Sequence, residues 1–504
     1  MRDIDNRRRE QVMSTAEREL AERILGYYKS SWEDKERRGL FDLWEKVESY
    51  WEGNPRPARS ENDPNSNVNF IHAGVEGQVA LLVEQPIKIN VKPVTPSEVS
   101  YAGQVKIMLD WIKDKNKMRR KIDMHERRRE KFGTGIFRVL YDPDAIEGFG
   151  LPIIDTCNPA YVFCDPGVSD IYKIQQGEFI IETLQKPISF AREQFGDEKA
   201  GLIVSGYDPL DNYIFAENED NDGAYLHIMA WIRTNGKLRL VQMSGCGVIL
   251  QDSFELTDGE SFYPSNRYPY FFTPLYIREG TVWAKGDAEL LLSLQDLVDD
   301  LDDQIRINAR LSGNPQRLVD ISANIDLDKW TNESGLIIPT SNIDGVKYLT
   351  PPDMPSYPLE RRNDALKYER EMVSRFSDQM LGKHALGVST ASEASALISQ
   401  GGVVIRHKKA LLQETLSEMF DYILLLIKEY YTDGKIFRVN NGESDAFEMI
   451  CGRELKSIPN LVTLDNLDDE IALLEGNESR YIAKGSKDSM FDIRVEIGSD
   501  MERE

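Results

Sequence analysis

Apolar residues recur at alternating spacings of four and three near the C-terminal third of the chain, which predicts one long amphipathic helix. This stripe consists of Leu412, Leu416, Met419, Ile423, Leu426 and Tyr430. Thr390 and Glu393 fit a capping box, so we expect the helix to begin at about Thr390. The pair Asp433-Gly434 predicts the C-terminal end of this helix. The pair Gly401-Gly402 interrupts the helix, and because paired glycines often bend helices, it predicts a hinge.

A second predicted helix begins at Gly286-Asp287 and ends near Leu311. Its narrow apolar stripe is formed by Leu294, Leu297, Val298, Leu301 and Ile305. Its opposite face is acidic and carries Asp296, Asp299, Asp300, Asp302 and Asp303. We expect these carboxylates to be solvated rather than to form a nuclease site, because no second element is paired with them. After an irregular stretch, Pro358 suits the first turn of another helix, since proline has no amide hydrogen to leave unpaired there.

The region from residue 130 to 285 alternates apolar and polar residues as β-strands do. The strongest hairpin signal is Asn235-Gly236 between Tyr225–Arg233 and Lys237–Met243, because both central residues of a type I′ turn need positive φ. Ser244-Gly245-Cys246-Gly247 allows a second reversal. The sequence therefore predicts an α+β fold that contains a β-meander.

The order of these elements resembles the portal proteins of tailed bacteriophages, which are also called head-to-tail connectors. In that family two stem helices flank a clip, a tunnel loop follows, and a long kinked helix returns the chain to the wing. Upstream segments that resemble portal wings are Asn67–Ile71, Gln85–Ile89, Phe132–Val139 and Cys157–Pro166, and Phe491–Ile497 resembles a later wing strand. The resemblance covers most of residues 60 to 435 and lies in the order and spacing of the segments.

The resemblance implies a portal fold with an α/β wing, a two-helix stem, a small β-rich clip and a long kinked helix. The expected division is 1–56 for the N-terminal helices of the wing, 57–285 for the α+β wing with its meander, 286–311 for the first stem helix, 312–357 for the clip, 358–381 for the second stem helix, 382–389 for the tunnel loop, 390–433 for the long kinked helix, and 434–504 for the return to the wing. A helical crown is expected to be short or absent, because little sequence follows Ile497.

The resemblance also implies a function. The chain is expected to form a ring, as a dodecamer, at one capsid vertex and to provide the channel for packaging and ejecting double-stranded DNA. Its expected partners are the large terminase, the major capsid and scaffolding proteins, and a head-completion or tail adaptor. Its expected location is the portal vertex of the virion, and the host cytoplasm during assembly. The implied site residues are Lys383, His384 and Leu386 in the DNA-channel loop, Gly401 and Gly402 at the hinge, and Lys329, Trp330 and Asn332 in the terminase-facing clip.

Composition and charge are compatible with this interpretation. The chain has 504 residues, 41% of them apolar, and a net charge of −24. Nonspecific DNA affinity comes mostly from Lys and Arg, so this charge argues against a DNA clamp and fits a conduit wall that repels phosphates. The same charge also fits an ordinary soluble surface. The most basic run, Met118–Arg129, is interpreted as a structural helix face with acidic partners rather than as a DNA contact.

Motifs for enzymatic chemistry are missing from the sequence. It contains no GxxxxGK[ST] loop for a triphosphate and no pattern of cysteines and histidines typical of zinc sites, so we expect no enzyme activity, no cofactor and no metal site. Neither a signal peptide nor an apolar run long enough for a membrane span is predicted. Two alternatives remain: a phage structural adaptor or scaffold that does not handle DNA, and a phage nuclease or terminase component.

Overall fold

The fold is that of a computed structural model, which describes residues 13–54, 64–210, 223–263, 265–313, 316–326, 337, 339–349, 356–369, 391–432, 434–440, 445–463 and 481–497. The chain divides into two compact units. The first unit comprises Met1–Glu45, Val75–Asp287 and Gly402–Glu504. The second comprises Lys46–Gly74 and Ala288–Gly401.

Helices and strands are both abundant, which confirms the α+β class. The longer α-helices are α1 (Thr15–Arg37), α2 (Leu40–Glu52), α3 (Phe70–Val83), α4 (Val99–Lys115), α5 (Met118–Phe132), α6 (Ile188–Phe195), α7 (Asp287–Gly313), α8 (Tyr357–Asp364) and α9 (Ala391–Tyr430). One π-helical segment, Ala365–Glu369, continues α8. Shorter helical segments are Pro96–Glu98, Ala145–Gly148, Pro159–Tyr161, Ile171–Gln176, Asp197–Ala200, Ser253–Leu256, Ile321–Ala323, Ile343–Gly345 and Gly452–Lys456.

The strands form small antiparallel sheets. They are β1 (Ile87–Pro93), β2 (Thr134–Asp142), β3 (Leu151–Cys157), β4 (Val162–Cys164), β5 (Phe179–Pro187), β6 (Ala224–Thr234), β7 (Lys237–Ser244), β8 (Ile249–Asp252), β9 (Tyr270–Pro274), β10 (Gln316–Val319), β11 (Val346–Leu349), β12 (Lys435–Asn440), β13 (Asp445–Ile450), β14 (Ile458–Thr463), β15 (Tyr481–Lys487) and β16 (Phe491–Ile497). A five-stranded sheet has the order β4-β5-β6-β7-β8, and a three-stranded sheet has the order β3-β2-β9. The pairs β1-β16, β10-β11, β12-β13 and β14-β15 form two-stranded sheets.

The predicted hairpin is confirmed. Strands β6 and β7 pair antiparallel up to Thr234 and Lys237, and the two turn residues Asn235 and Gly236 have φ values of 54° and 77°. Both values lie in the left-handed region that the type I′ turn requires. The second reversal is also present, since β8 pairs antiparallel with β7 after the turn at Gly247.

The apolar stripe of α9 lies in the main hydrophobic core of the first unit. Five of its predicted members, from Leu412 to Leu426, are at most 1% exposed. They pack with side chains of β2, β3, α4, α5 and β16. The last stripe residue, Tyr430, is partly buried and stacks on Tyr141 with ring centroids 4.3 Å apart. The second half of the long helix is therefore a core element, and hydrophobic burial fixes its rotation about its own axis.

In the second unit, the prediction of a solvated acidic face on α7 is wrong. Asp299 is 2% exposed, and its Oδ1 accepts a hydrogen bond from the Val68 amide at 3.0 Å. Asp303 accepts one from the Ser66 amide at 2.8 Å. The segment that leads into α3 brings free backbone amides to this face, and amides of that kind are good partners for carboxylates.

Two more carboxylates of α7 have cationic partners in the same unit. Asp296 pairs with Lys46 of α2 at 3.0 Å, and Asp302 pairs with Arg362 of α8. The sequence pattern located the acidic face correctly. It did not show which elements would lie against that face, because those elements are distant in the sequence.

Candidate functional site

Most of the site residues implied by the portal resemblance lie outside the described residues. These are Lys383, His384 and Leu386 of the tunnel loop and Lys329, Trp330 and Asn332 of the clip. Their roles stay predictions. Gly401 and Gly402 lie within α9, which is helical across both glycines. The division between the two units falls between these two residues.

The basic run Met118–Arg129 forms α5, and acidic partners are present, as predicted. The Arg127 guanidinium pairs with Glu76 at 2.7 Å and with Asp123 at 2.7 Å. Lys121 pairs with Asp155 at 2.8 Å. These ion pairs lie inside the first unit and hold α5 against neighbouring elements, which supports the structural interpretation of the run.

The C-terminal end of α5 contributes to a buried charged cluster, the Lys408 junction, which consists of Lys408, Glu130, Asp287, Gln78 and Arg129. The Lys408 ammonium lies 2.9 Å from Glu130 and 2.8 Å from Asp287, and it also donates to the side-chain oxygen of Gln78. The side chains of Lys408, Glu130 and Asp287 are between 0% and 2% exposed. The Arg129 guanidinium donates to the backbone carbonyl of Lys408 at 3.0 Å. All five residues belong to the first unit.

Two glycines allow these groups to meet. Gly133 ends α5 in a left-handed conformation with φ of 83°, and its amide donates to the Arg129 carbonyl at 2.8 Å. Gly286 packs against the same helix end, where a Cβ would lie 2.7 Å from the Glu130 carbonyl oxygen. A side chain at Gly286 would therefore clash with backbone, and the close approach brings Asp287 to Glu130.

A second buried group extends the junction along α5. Glu126 pairs with Arg129 at 3.0 Å and with the Nδ1 atom of His125 at 2.8 Å. The His125 ring stacks on Phe137 with centroids 3.9 Å apart, and its Nε2 atom lies 3.2 Å from the Thr273 hydroxyl. Burial lowers the pKa of His125, which keeps the imidazole neutral near pH 7. Because both ring nitrogens are engaged, His125 is held as a packing residue.

The electrostatics of the junction centre on Glu130. Burial raises the pKa of Glu130, the Lys408 cation lowers it and the nearby Asp287 carboxylate raises it, and together these effects place it at about 7. The second carboxylate oxygen of Asp287, Oδ1, is buried and has no hydrogen-bond partner among the described residues. The junction thus contains a carboxyl group whose pKa lies well above that of an exposed glutamate.

The buried ion pairs of the junction are suited to fixing helices in place rather than to catalysis. Its ammonium and carboxylates point at one another and are shielded from solvent, which leaves no open position for a substrate. Within the first unit, Lys408 joins three helices: α9 itself, α3 through Gln78 and α7 through its first residue, Asp287. The junction therefore fixes α9 a short distance after Gly401 and Gly402.

Sequence reasoning did not single out Lys408, although a signal was present. Lys408 lies four residues before Leu412, so it occupies the next position of the apolar stripe. A lysine at a core position of a helix requires a buried counter-charge. The identity of that counter-charge could not be deduced, because Glu130 and Asp287 are far from Lys408 in the sequence.

Comparison of the sequence with models of known protein families and with curated proteins gave no match. Among the described residues, no helix combines the length and apolar character needed to cross a membrane. Within the same part of the chain, no group of three or more His, Cys, Asp or Glu side chains is arranged to hold a metal ion. The cysteines are free thiols, and Cys157 and Cys164 are buried.

Proposed function

We propose that this chain is the subunit of a portal ring that conducts double-stranded DNA at one vertex of a phage capsid. The observation that carries the proposal is the order of elements after residue 286. A long helix with acidic residues, α7, is followed by the small antiparallel pair β10-β11, by α8 and by the long helix α9. This is the order of first stem helix, clip, second stem helix and long kinked helix in the family that the sequence resembles.

Exposed apolar side chains of the second unit support assembly. Ile321 is 97% exposed and Ile337 is 90% exposed, and both lie in the segment assigned to the clip. Tyr357 and Leu359 at the start of α8 are 67% and 47% exposed. Exposed apolar side chains of this size are available for a partner to cover. In the proposed ring, neighbouring subunits cover them.

The Lys408 junction supports the mechanical part of the proposal. It fixes α9 on the C-terminal side of Gly401 and Gly402, so a bend of the helix is confined to the glycine pair and the residues before it. In the proposed ring, this restricts movement to the end of α9 that joins the tunnel loop at 382–389. The passive role of the subunit is to form the channel, while the terminase supplies the force from ATP.

Electron microscopy of the purified chain tests the proposal. We expect closed rings of about a dozen copies with a central channel, and light scattering after gel filtration is expected to show a particle many times heavier than the 57.6 kDa subunit. A monomer at micromolar concentration contradicts the proposal. A closed assembly without a channel wide enough for duplex DNA favours the structural adaptor instead.

A further inference from the structure

A pocket of about 640 Å³ opens in the first unit between the end of α3, the start of β1 and the turn that joins α4 to α5. Its apolar wall includes Leu82, Met118 and Ile122, which are each at most 2% exposed. A second pocket of about 490 Å³ adjoins it and shares Val83, Glu84, Arg119 and Arg120. The apolar wall suits an aliphatic side chain, and the volume has room for that side chain together with its neighbouring residues.

The lining of this pocket holds four cations, Lys113, Lys117, Arg119 and Arg120, and two carboxylates, Glu84 and Asp114, so it is net positive although the chain has a net charge of −24. Lys117, Arg119 and Arg120 are exposed on the rim, and no described residue lies in ion-pair or hydrogen-bond range of their side chains. All three lie at the N-terminus of α5, which no side chain among the described residues caps. Cations are unfavourable at the positive N-terminal end of a helix dipole. A carboxylate from another molecule would therefore be stabilised here both by the basic side chains and by the dipole.

A loop elsewhere in the same unit has the complementary chemistry. Between β2 and β3, Ile146 is 44% exposed and is flanked by Asp144 and Glu147. Ile146 and Glu147 have φ values of 55° and 56°. A β-branched residue rarely adopts this left-handed conformation, which costs about 1–3 kcal/mol. No described residue pairs with the side chains of Asp144 and Glu147. The strained backbone presents an apolar side chain between two free carboxylates.

We infer that Ile146 of one copy of this chain inserts into this pocket on the next copy, with Asp144 and Glu147 against Arg119 and Arg120. The inference rests on the proposed ring and names one contact that builds it. Because the loop and the pocket are different surfaces, the contact is head-to-tail, and contacts of this kind generate closed rings when the rotation closes. Charge complementarity selects the partner, since the acidic loop is repelled by most of the acidic chain and attracted to its basic pocket.

Reciprocal charge reversal in the full chain tests the contact. R119E/R120E makes the pocket rim acidic, and D144R/E147R makes the loop basic. Each variant alone then has loop and pocket of the same sign, and we expect at least a tenfold loss of assembly by light scattering. An equimolar mixture is expected to assemble again, because each loop meets a pocket of opposite charge on the other variant. R18E/R23E reverses an exposed pair on α1 and is expected to assemble like the parent.

A second variant distinguishes loss of the contact from loss of subunit stability. I146G removes the apolar side chain and relieves the positive φ, so the subunit is expected to melt no lower than the parent while its assembly weakens. Normal assembly of both reversed variants overturns the contact, and so does failure of their mixture to assemble. If the parent chain forms rings in those cases, the ring proposal stands and only the contact is rejected. A monomeric parent overturns both.

Discussion

Lys35 and Lys408 are both buried in the first unit, but different groups surround them. The Lys35 ammonium donates to the backbone carbonyls of Pro159 and Val162 at 2.7 and 2.6 Å. It also lies 4.1 Å from the ring centroid of Phe163. Lys408 instead faces the carboxylates of Glu130 and Asp287. One lysine is stabilised by dipoles and ring faces, the other by full opposite charges.

This difference determines what each lysine leaves behind when it is removed. The carbonyls and aromatic rings around Lys35 are neutral, so removal of Lys35 costs the hydrogen bonds that its ammonium donates to the carbonyls. Without Lys408, the buried carboxyls of Glu130 and Asp287 must either take up a proton or stay charged without a counter-ion, and both cost stability. Burial lowers the pKa of Lys35 well below its usual range, but three carbonyl acceptors, including Ala160 at 3.2 Å, match the three N–H donors of an ammonium. We infer that the Lys35 site is an anchor for α1 against β4.

The largest expected effect is that of K408M. We expect it to lower the free energy of unfolding by about 3–5 kcal/mol, because Glu130 and Asp287 lose their counter-ion. Chemical denaturation measures this change in the free energy of unfolding. K409M is the matched control on the adjacent, half-buried position, with an expected loss below about 1 kcal/mol. Adding E130Q and D287N to K408M is expected to recover part of the loss. Equal effects of K408M and K409M contradict the assignment of the junction.

K35M is expected to have the next largest effect, a loss of about 2–3 kcal/mol. Methionine fits the aromatic surroundings but cannot donate to the carbonyls of Pro159 and Val162, and buried acceptors without donors are costly. K29M is the control, since the Lys29 side chain is 65% exposed and lies 3.9 Å from Glu33. If K35M destabilises as much as K408M, then the contrast between dipoles and counter-ions does not describe these two sites.

The sequence predicted local structure well and buried ion pairs poorly. The meander at Asn235-Gly236 and the start of α9 beside Thr390 depend on residues close in sequence, so local patterns were sufficient. The acidic face of α7 was wrongly expected to be solvated, because Val68 and Arg362 reach it from distant elements. The Lys408 junction was missed for the same reason. Periodicity shows that a charged residue enters the core, but the partner depends on tertiary packing.

Replacing Gly401 and Gly402 together with alanine tests the predicted hinge in the helix that Lys408 fixes. Alanine favours helix over glycine by about 1 kcal/mol at each site, so the double variant is expected to be more stable by up to about 2 kcal/mol. Rings are expected to form while DNA packaging with a matched terminase declines. G26A in α1 is the control, because a Cβ there has open space and no hinge is predicted. Normal packaging by the double variant removes the hinge from the mechanism.

The last expected effect is a change in the pH dependence of stability at the Lys408 junction. The pKa of Glu130 is raised from 4.5 to about 7 in the folded chain. Between these values the folded state binds more protons than the unfolded state, so this group makes stability fall as pH rises from about 5 to about 7. Above that window its effect is constant. The slope cannot exceed about 1.4 kcal/mol per pH unit for one proton.

E130Q removes this proton while keeping an oxygen for Lys408, so its stability is expected to vary less with pH than that of the parent between pH 5 and 7. The charged groups that face Glu130 are Lys408 of α9, Asp287 of α7 and Arg129 of α5, and all remain in the variant. Asp421, whose pKa burial raises to about 6, contributes a slope of the same sign in both proteins. Denaturant midpoints at four pH values measure the difference. Parallel curves for parent and variant mean that Glu130 stays ionised and that Lys408 outweighs its burial, which makes the junction a permanently charged counterpart of the Lys35 site.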